Sequence, residues 1–148
     1  MNPKRPDRIP SIKAVMTPFP WHIQVDDPLG RAREMMREHD IRHLPVTNGG
    51  ELVGIVTKRD IRLVEQATAK PAEREALTIR DVCTLDAYVV DLSEPLDRVL
   101  AEMAARHIGS ALVVKRGRLA GIFTSTDACH HFGQFLRMVF EHGGDDAA

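Results

Sequence analysis

Two residue pairs in this chain have the types and spacing to hold an anion and a diol side by side. They are Thr57 with Asp60 in GIVTKRD, and Thr124 with Asp127 in GIFTSTD. In each, an apolar, β-prone run ends in threonine and aspartate follows three residues on. That order predicts a strand running straight into a helix, with both side chains in the first turn. A helix start offers unpaired N–H groups and the positive end of the helix dipole, which together suit a phosphate. Thr57 adds a hydroxyl, and Lys58 or Arg59 adds charge. Asp60, an acceptor-only carboxylate, suits a pair of ribose hydroxyls. Gly54 keeps the strand slim where another backbone or a flat ring comes close. Phosphate, diol and ring make a nucleotide. The same spacing is also close to a capping box, in which threonine caps and the acid reaches back to the backbone.

The elements that must position these pairs occur twice. Gly121 follows Gly54 by 67 residues, and at that offset Ile12–Asp60 aligns without a gap on Ile79–Asp127. Matched positions include Val15/Val82, Thr17/Thr84, Pro28/Pro95, Met36/Met103, Val46/Val113 and Gly50/Gly117. A fixed internal period signals a tandem structural unit. Within each copy, a short β-prone run (WHIQV, YVVDL) precedes an acid–proline pair, which suits a helix start. Leu29, Ala32, Met35 and Met36, and then Leu96, Val99, Leu100 and Met103, mark one helical face in each copy. LPVT and ALVV read as buried strands, the turns NGGE and KRGR close a hairpin, and a helix starts at Lys58 or Ser125. Each copy therefore reads β-α-β-β-α, in an α/β (α+β) fold. One copy alone is too small to bury much core, so the two are expected to pack together. The chain divides into an N-terminal extension (1–11), repeat 1 (12–66), a linker broken by Pro71 and partly helical (67–78), repeat 2 (79–132), and a helical extension with a disordered tail (133–148).

Composition narrows the function classes. The 148 residues are 43% hydrophobic and 28% charged with a formal net charge of −1, ordinary for a soluble globular protein. Near-neutral charge argues against a dedicated nucleic-acid binder; Lys4, Arg5, Arg8 and Lys13 make only a short basic patch. MNPKRPDRIPS reads as neither signal peptide nor anchor, and no run is long enough to span a bilayer. Two distant cysteines, Cys83 and Cys129, point to a reducing cytoplasm.

The ordered pattern VMT, WHIQVDDPL, MMREHDIRHLPV and GGELVGIVTKRD resembles a cystathionine-β-synthase (CBS) domain. Its second copy makes the chain similar to a CBS-domain pair, or Bateman module, over roughly Ile12 to Phe132. The resemblance implies two units related by a pseudo-twofold axis, with clefts between them. It implies a regulatory module that binds an adenosyl ligand (AMP, ADP, ATP, NAD or S-adenosylmethionine) and needs no other cofactor. The family's ribose-holding aspartate maps to Asp60 and Asp127, and its phosphate-holding threonine to Thr57 and Thr124. The segment before each first strand lines the cleft, which points to Met16, Thr17 and Pro18, and to Cys83, Thr84 and Asp86. The adenine wall maps to His43, Leu44 and Pro45. The second copy departs from this with Ser110, Ala111 and Leu112, and has Ser125 and Thr126 in place of Lys58 and Arg59. Two unequal sites are therefore expected, the first preferring more phosphate charge. The resemblance also implies a homodimer, and with no effector domain in sight the output would pass to a separate effector protein. An adaptor that has lost its ligand and works through its surface is the alternative.

Other features carry less. Cys129, His130 and His131 are adjacent, so on a helix they point about 100° apart and do not converge on one ion. No nucleophile–base pair appears, and Cys83 replaces Met16, as a packing residue would; no enzyme is expected. Trp21 is expected to support strand packing. Phe132, Phe135, Leu136, Val139 and Phe140 form a wide apolar stripe at helical spacing. That stripe either covers the module's own core or forms a self-complementary dimer surface.

Overall fold

The computed structural model describes residues 8–140. The basic residues Lys4 and Arg5 and the expected tail, 141–148, lie outside the described residues. Repeat 1 supplies β1 (Thr17–Pro18), β2 (Ile23–Gln24), α1 (Leu29–His39), β3 (His43–Asn48), β4 (Glu51–Thr57) and α2 (Lys58–Ala67). The short α3 (Pro71–Glu75) lies in the linker. Repeat 2 supplies β5 (Val89–Asp91), α4 (Leu96–Arg106), β6 (Ser110–Lys115), β7 (Arg118–Thr124) and α5 (Ser125–Phe140).

Local chemistry explains the elements. The β3–β4 turn places Gly49 and Gly50 at positive φ, and the β6–β7 turn does the same with Arg116 and Gly117. Two successive left-handed residues match the twist of a tight hairpin. α1 and α4 end at Asp40 and His107, both in the left-handed region, where aspartate and histidine are tolerated better than most residues. Leu29, Ala32, Met35 and Met36 are all buried, as their spacing predicts; on α4, Val99 and Met103 are buried while Leu100 stays 40% exposed.

The repeats are joined by exchange. Strands run β2-β3-β4 in one sheet and β1-β7-β6-β5 in the other, so β1 leaves its own repeat and pairs with β7. The counterpart crossing is an antiparallel bridge between Thr84 and Ile55 of β4. Backbone bonds repeat this reciprocity. Ile12 N–H donates to the Glu94 carbonyl at 2.8 Å, and Ile79 N–H to the Asp27 carbonyl at 3.0 Å. The first N–H of α1 goes to the Leu77 carbonyl and that of α4 to the Pro10 carbonyl. Each crossing segment thus satisfies a donor that a helix start leaves unpaired. When residue i meets j and its equivalent meets the equivalent of j the other way round, the arrangement is a twofold one.

Packing follows the same crossing. Ile12 is fully buried among Val90, Val99, Met103 and Phe123 of repeat 2, and Ile79 among Ile23, Leu29, Leu44 and Val56 of repeat 1. Burying an isoleucine is worth about 1.5–3 kcal/mol, so each anchors its segment across the boundary. Ile55, Leu112 and Ile122 form a third cluster, joining β4 to β6 and β7. Trp21 does not support the strands: it is 56% exposed and stacks on His39 of α1, with centroids 3.9 Å apart.

Candidate functional site

Both threonine–aspartate pairs stand where a strand becomes a helix. The Thr57 N–H donates to Asp60 Oδ2 at 3.0 Å, and the Asp60 N–H donates to Thr57 Oγ1 at 3.1 Å. In repeat 2 the Thr124 N–H and hydroxyl both donate to Asp127 Oδ2 at 2.9 Å, and the Asp127 N–H donates to Thr124 Oγ1 at 3.2 Å. These are complete capping boxes, worth about 1 kcal/mol each. Every one of these carboxylate bonds falls on Oδ2, which leaves Oδ1 of both aspartates with lone pairs for an external hydroxyl.

The sheets bring further groups to these helix starts. His43 pairs with Thr57 across β3–β4, and Ser110 with Thr124 across β6–β7. The Lys58 N–H donates to the Arg42 carbonyl at 2.9 Å, and the Ser125 N–H to the Gly109 carbonyl at 2.9 Å. A cleft of about 490 Å³ opens at the start of α2, lined by Arg42, His43, Thr57, Lys58, Arg59, Arg62 and Leu63. A smaller cavity of about 280 Å³, largely walled by Leu52, Val53, Leu85, Ala87, Val89 and Val114, lies towards the other end of β4 beside Gly54.

Half-buried His43 sits where the repeats meet. A Cβ on Gly109 would lie 3.3 Å from its Nε2, with Ser125 Oγ also close. Burial pushes its imidazole below the ordinary value; the Asp60 and Asp127 carboxylates oppose that shift and Arg42 adds to it. One side chain therefore feels both aspartates.

The crossing decides which segment lies beside the strand that leads into each helix start. Thr17 and Pro18 lie opposite Ile122 and Gly121 of β7, on the strand that ends at Thr124. Thr84 lies opposite Ile55 of β4, on the strand that ends at Thr57. Cys83 is near enough to Asp60 for that charge, after burial, to help raise its thiol pKa, and it packs on the repeat 1 core. A raised thiol pKa leaves less thiolate, the reactive form. Gly54 meets a backbone: a Cβ there would collide with the Thr84 carbonyl, and one on Gly121 would collide with Met16.

Of the residues singled out from sequence, Thr57, Lys58, Arg59 and Asp60 come together with His43, with exposed Thr84 bridged to β4 at Ile55 and Asp86 two residues beyond it. Thr124, Ser125, Thr126 and Asp127 come together with Ser110, with Thr17 and Pro18 alongside β7. Leu44, Pro45 and Ala111 are fully buried within the sheets. Arg42, Arg62 and Leu63 were missed. Arg62 follows Lys58 by four residues, which puts both on one helix face; Arg42 leaves no such trace. Among the described residues, no cluster of His, Cys, Asp and Glu could hold a metal ion.

The model of the CBS domain matches twice, over residues 12–66 and 79–133. The chain belongs to the CBS-domain family. Hypoxic response protein 1 of Mycobacterium tuberculosis is 30% identical over 113 residues, covering 76% of this chain and 78% of that protein. Inosine-5'-monophosphate dehydrogenase of Korarchaeum cryptofilum is 35% identical over 106 residues, covering 71% of this chain and 21% of the enzyme. The chain thus spans about a fifth of that relative's length. The CBS domain pair of protein MJ0100, solved with 5'-methylthioadenosine and S-adenosyl-L-methionine, superposes with a TM-score of 0.73 at 28% identity, covering 86% of this chain and 98% of that one. Among the described residues, no helix is long and apolar enough to cross a membrane.

Proposed function

We propose that this CBS pair binds an adenosyl ligand in the clefts between its repeats and acts as a regulatory module rather than an enzyme. The observation that carries this is the composite frame: a helix start bearing Thr and Asp from one repeat, edged by a segment of the other. A ligand seated there touches both repeats at once, so it binds better to one mutual arrangement than another. That differential affinity is what converts occupancy into a change of shape. The adenosyl compounds held by the MJ0100 pair support the ligand class. The thiol beside the repeat 1 site, Cys83, is shifted by burial away from the reactive thiolate. Two free thiols suit a reducing, cytoplasmic setting.

The output would pass through protein contacts. No residue of α5 is buried, and Phe132, Phe135, Val139 and Phe140 are 48–70% exposed, so the stripe does not cover the module's own core. A second copy meeting this stripe gives a homodimer; a separate effector protein reads the ligand-dependent shape. A second reading, a ligand-free adaptor, is favoured by the fact that both Thr–Asp pairs already close as capping boxes without a ligand.

Thermal unfolding with AMP, ADP, ATP, NAD and S-adenosylmethionine separates the two. A ligand at about a hundred times its dissociation constant stabilises by roughly 2.7 kcal/mol. Stabilisation by at least one compound, reduced in Asp60→Asn or Asp127→Asn, supports the sensor, since asparagine can still cap. No shift with any of the five makes the boxes caps alone.

A further inference from the structure

We infer that the two clefts select different amounts of ligand charge: the repeat 1 cleft takes the polyphosphate tail of a nucleotide, and the repeat 2 cleft takes an uncharged or singly phosphorylated group. This rests on the adenosyl-ligand reading and adds to it the chemical class that each cleft accepts.

One backbone frame here carries two different sets of side chains. Both helix starts have the same capping box, and both donate the first helical N–H to a carbonyl at 2.9 Å, Arg42 in one repeat and Gly109 in the other. The frames match, so the side chains alone distinguish the clefts. Repeat 1 lines its cleft with Arg42, Lys58, Arg59 and Arg62. The equivalent positions in repeat 2 are Gly109, Ser125, Thr126 and Cys129, none of them cationic.

The four cations are also unspent. Elsewhere Arg31, Arg33, Lys70 and Arg80 each lie beside a carboxylate, but among the described residues none of the four cleft cations does. The acid nearest along the chain to the three helix cations, Asp60, commits Oδ2 to the cap. Like charges gathered around a concave wall repel one another and raise the local concentration of anions. A single phosphate engages only part of such a set. A chain of phosphates can meet Lys58 and Arg59 at the helix start while reaching Arg62, one turn along, and Arg42 just before β3. In the second cleft Ser125 and Thr126 supply hydroxyls and no charge, and an additional phosphate there would find no cation among them.

Calorimetric titration of the intact chain with AMP, ATP and inorganic tripolyphosphate tests this, alongside Arg42→Gln with Arg62→Gln. Both arginines are exposed, and unfolding midpoints verify that the double variant is folded. Losing a charge-assisted hydrogen bond costs about tenfold in affinity. ATP is therefore expected to bind the wild type at least about tenfold tighter than AMP, with tripolyphosphate binding too. In the double variant the ATP-to-AMP ratio should fall towards one and tripolyphosphate binding should weaken about a hundredfold. Equal affinities for AMP and ATP in the wild type would overturn the inference while leaving the adenosyl reading intact. Tripolyphosphate binding that is lost in the double variant, with none of the five adenosyl compounds bound, would uphold charge selection and overturn the adenosyl reading. Binding of none of the three would overturn the inference, and the adenosyl reading would fall with it only if ADP, NAD and S-adenosylmethionine also failed to bind.

Discussion

Replacing Gly54 with alanine tests the crossing of the repeats, and the structure sets the size of the effect. The new methyl would fall on the Thr84 carbonyl group, with the Leu85 Cα at 3.3 Å. These are backbone atoms and cannot rotate aside. Relief requires the crossing segment to move, which breaks the Ile55 N–H bond to the Thr84 carbonyl (3.0 Å) and the Thr84 N–H bond to the Ile55 carbonyl (2.8 Å). Two backbone bonds are worth about 0.5–1.5 kcal/mol each, and overpacking adds about 1–3 kcal/mol. The total, about 2–6 kcal/mol, lowers the midpoint of a chain this size by roughly 5–20 °C. Two other glycines calibrate the result. In Gly121→Ala the methyl meets the Met16 side chain, which can yield, and the Thr17 carbonyl oxygen at 3.0 Å, so the cost should be smaller. In Gly30→Ala the nearest atom is an Arg33 guanidinium nitrogen at 3.6 Å, ordinary contact within a helix. That change should stabilise by about 0.5–1 kcal/mol. Thermal unfolding followed by circular dichroism measures all three. A Gly54→Ala midpoint within about 1 °C of wild type would refute the packing of Thr84 against β4.

Three further outcomes follow from the same geometry. His43 holds its proton less tightly in the folded chain than in the unfolded one, whose value is near 6.5. Its stability contribution is therefore complete above about pH 6.5 and lost as pH falls towards the lower folded value; His43→Gln should flatten that window in midpoint-versus-pH curves. Thr57→Ala removes one cap and should cost about 1 kcal/mol, seen as a lower denaturant midpoint with an unchanged slope. Phe135→Glu with Val139→Glu places charge on the exposed stripe of α5, so light scattering should show dimers becoming monomers with little change in protomer stability; dimers of undiminished mass would remove α5 from the interface.

Much of this was legible in the sequence because its signals are local. The glycine turns, the apolar faces of α1 and α4 and the Thr–Asp starts of α2 and α5 each lie within a few residues of one another. The exchange between repeats was not, because a tandem repeat reads the same whichever copy each segment joins. Ile12 and Ile79 are equally apolar whether they pack at home or across the boundary. That ambiguity matters for the site, since it decides that Thr84 belongs with Asp60 and Thr17 with Asp127. Arg42 was invisible for a related reason: it reaches the cleft only because its carbonyl accepts the first N–H of a helix that starts sixteen residues later. Leu44 and Pro45 matched a family pattern, yet β3 is covered on both faces there, and only the half-buried His43 at its start reaches the cleft.

In the proposed ligand sites a helix start of one repeat faces a crossing segment of the other, and amide hydrogen exchange with and without ATP tests this most directly. Slower exchange is expected at Thr57–Asp60 and at Cys83–Asp86 together, the two segments that the proposed repeat 1 site would bring to one ligand. Protection of Thr57–Asp60 together with Met16 and Thr17 of the other crossing segment, while Cys83–Asp86 stays unchanged, would contradict it. No protection of either half would contradict it as well.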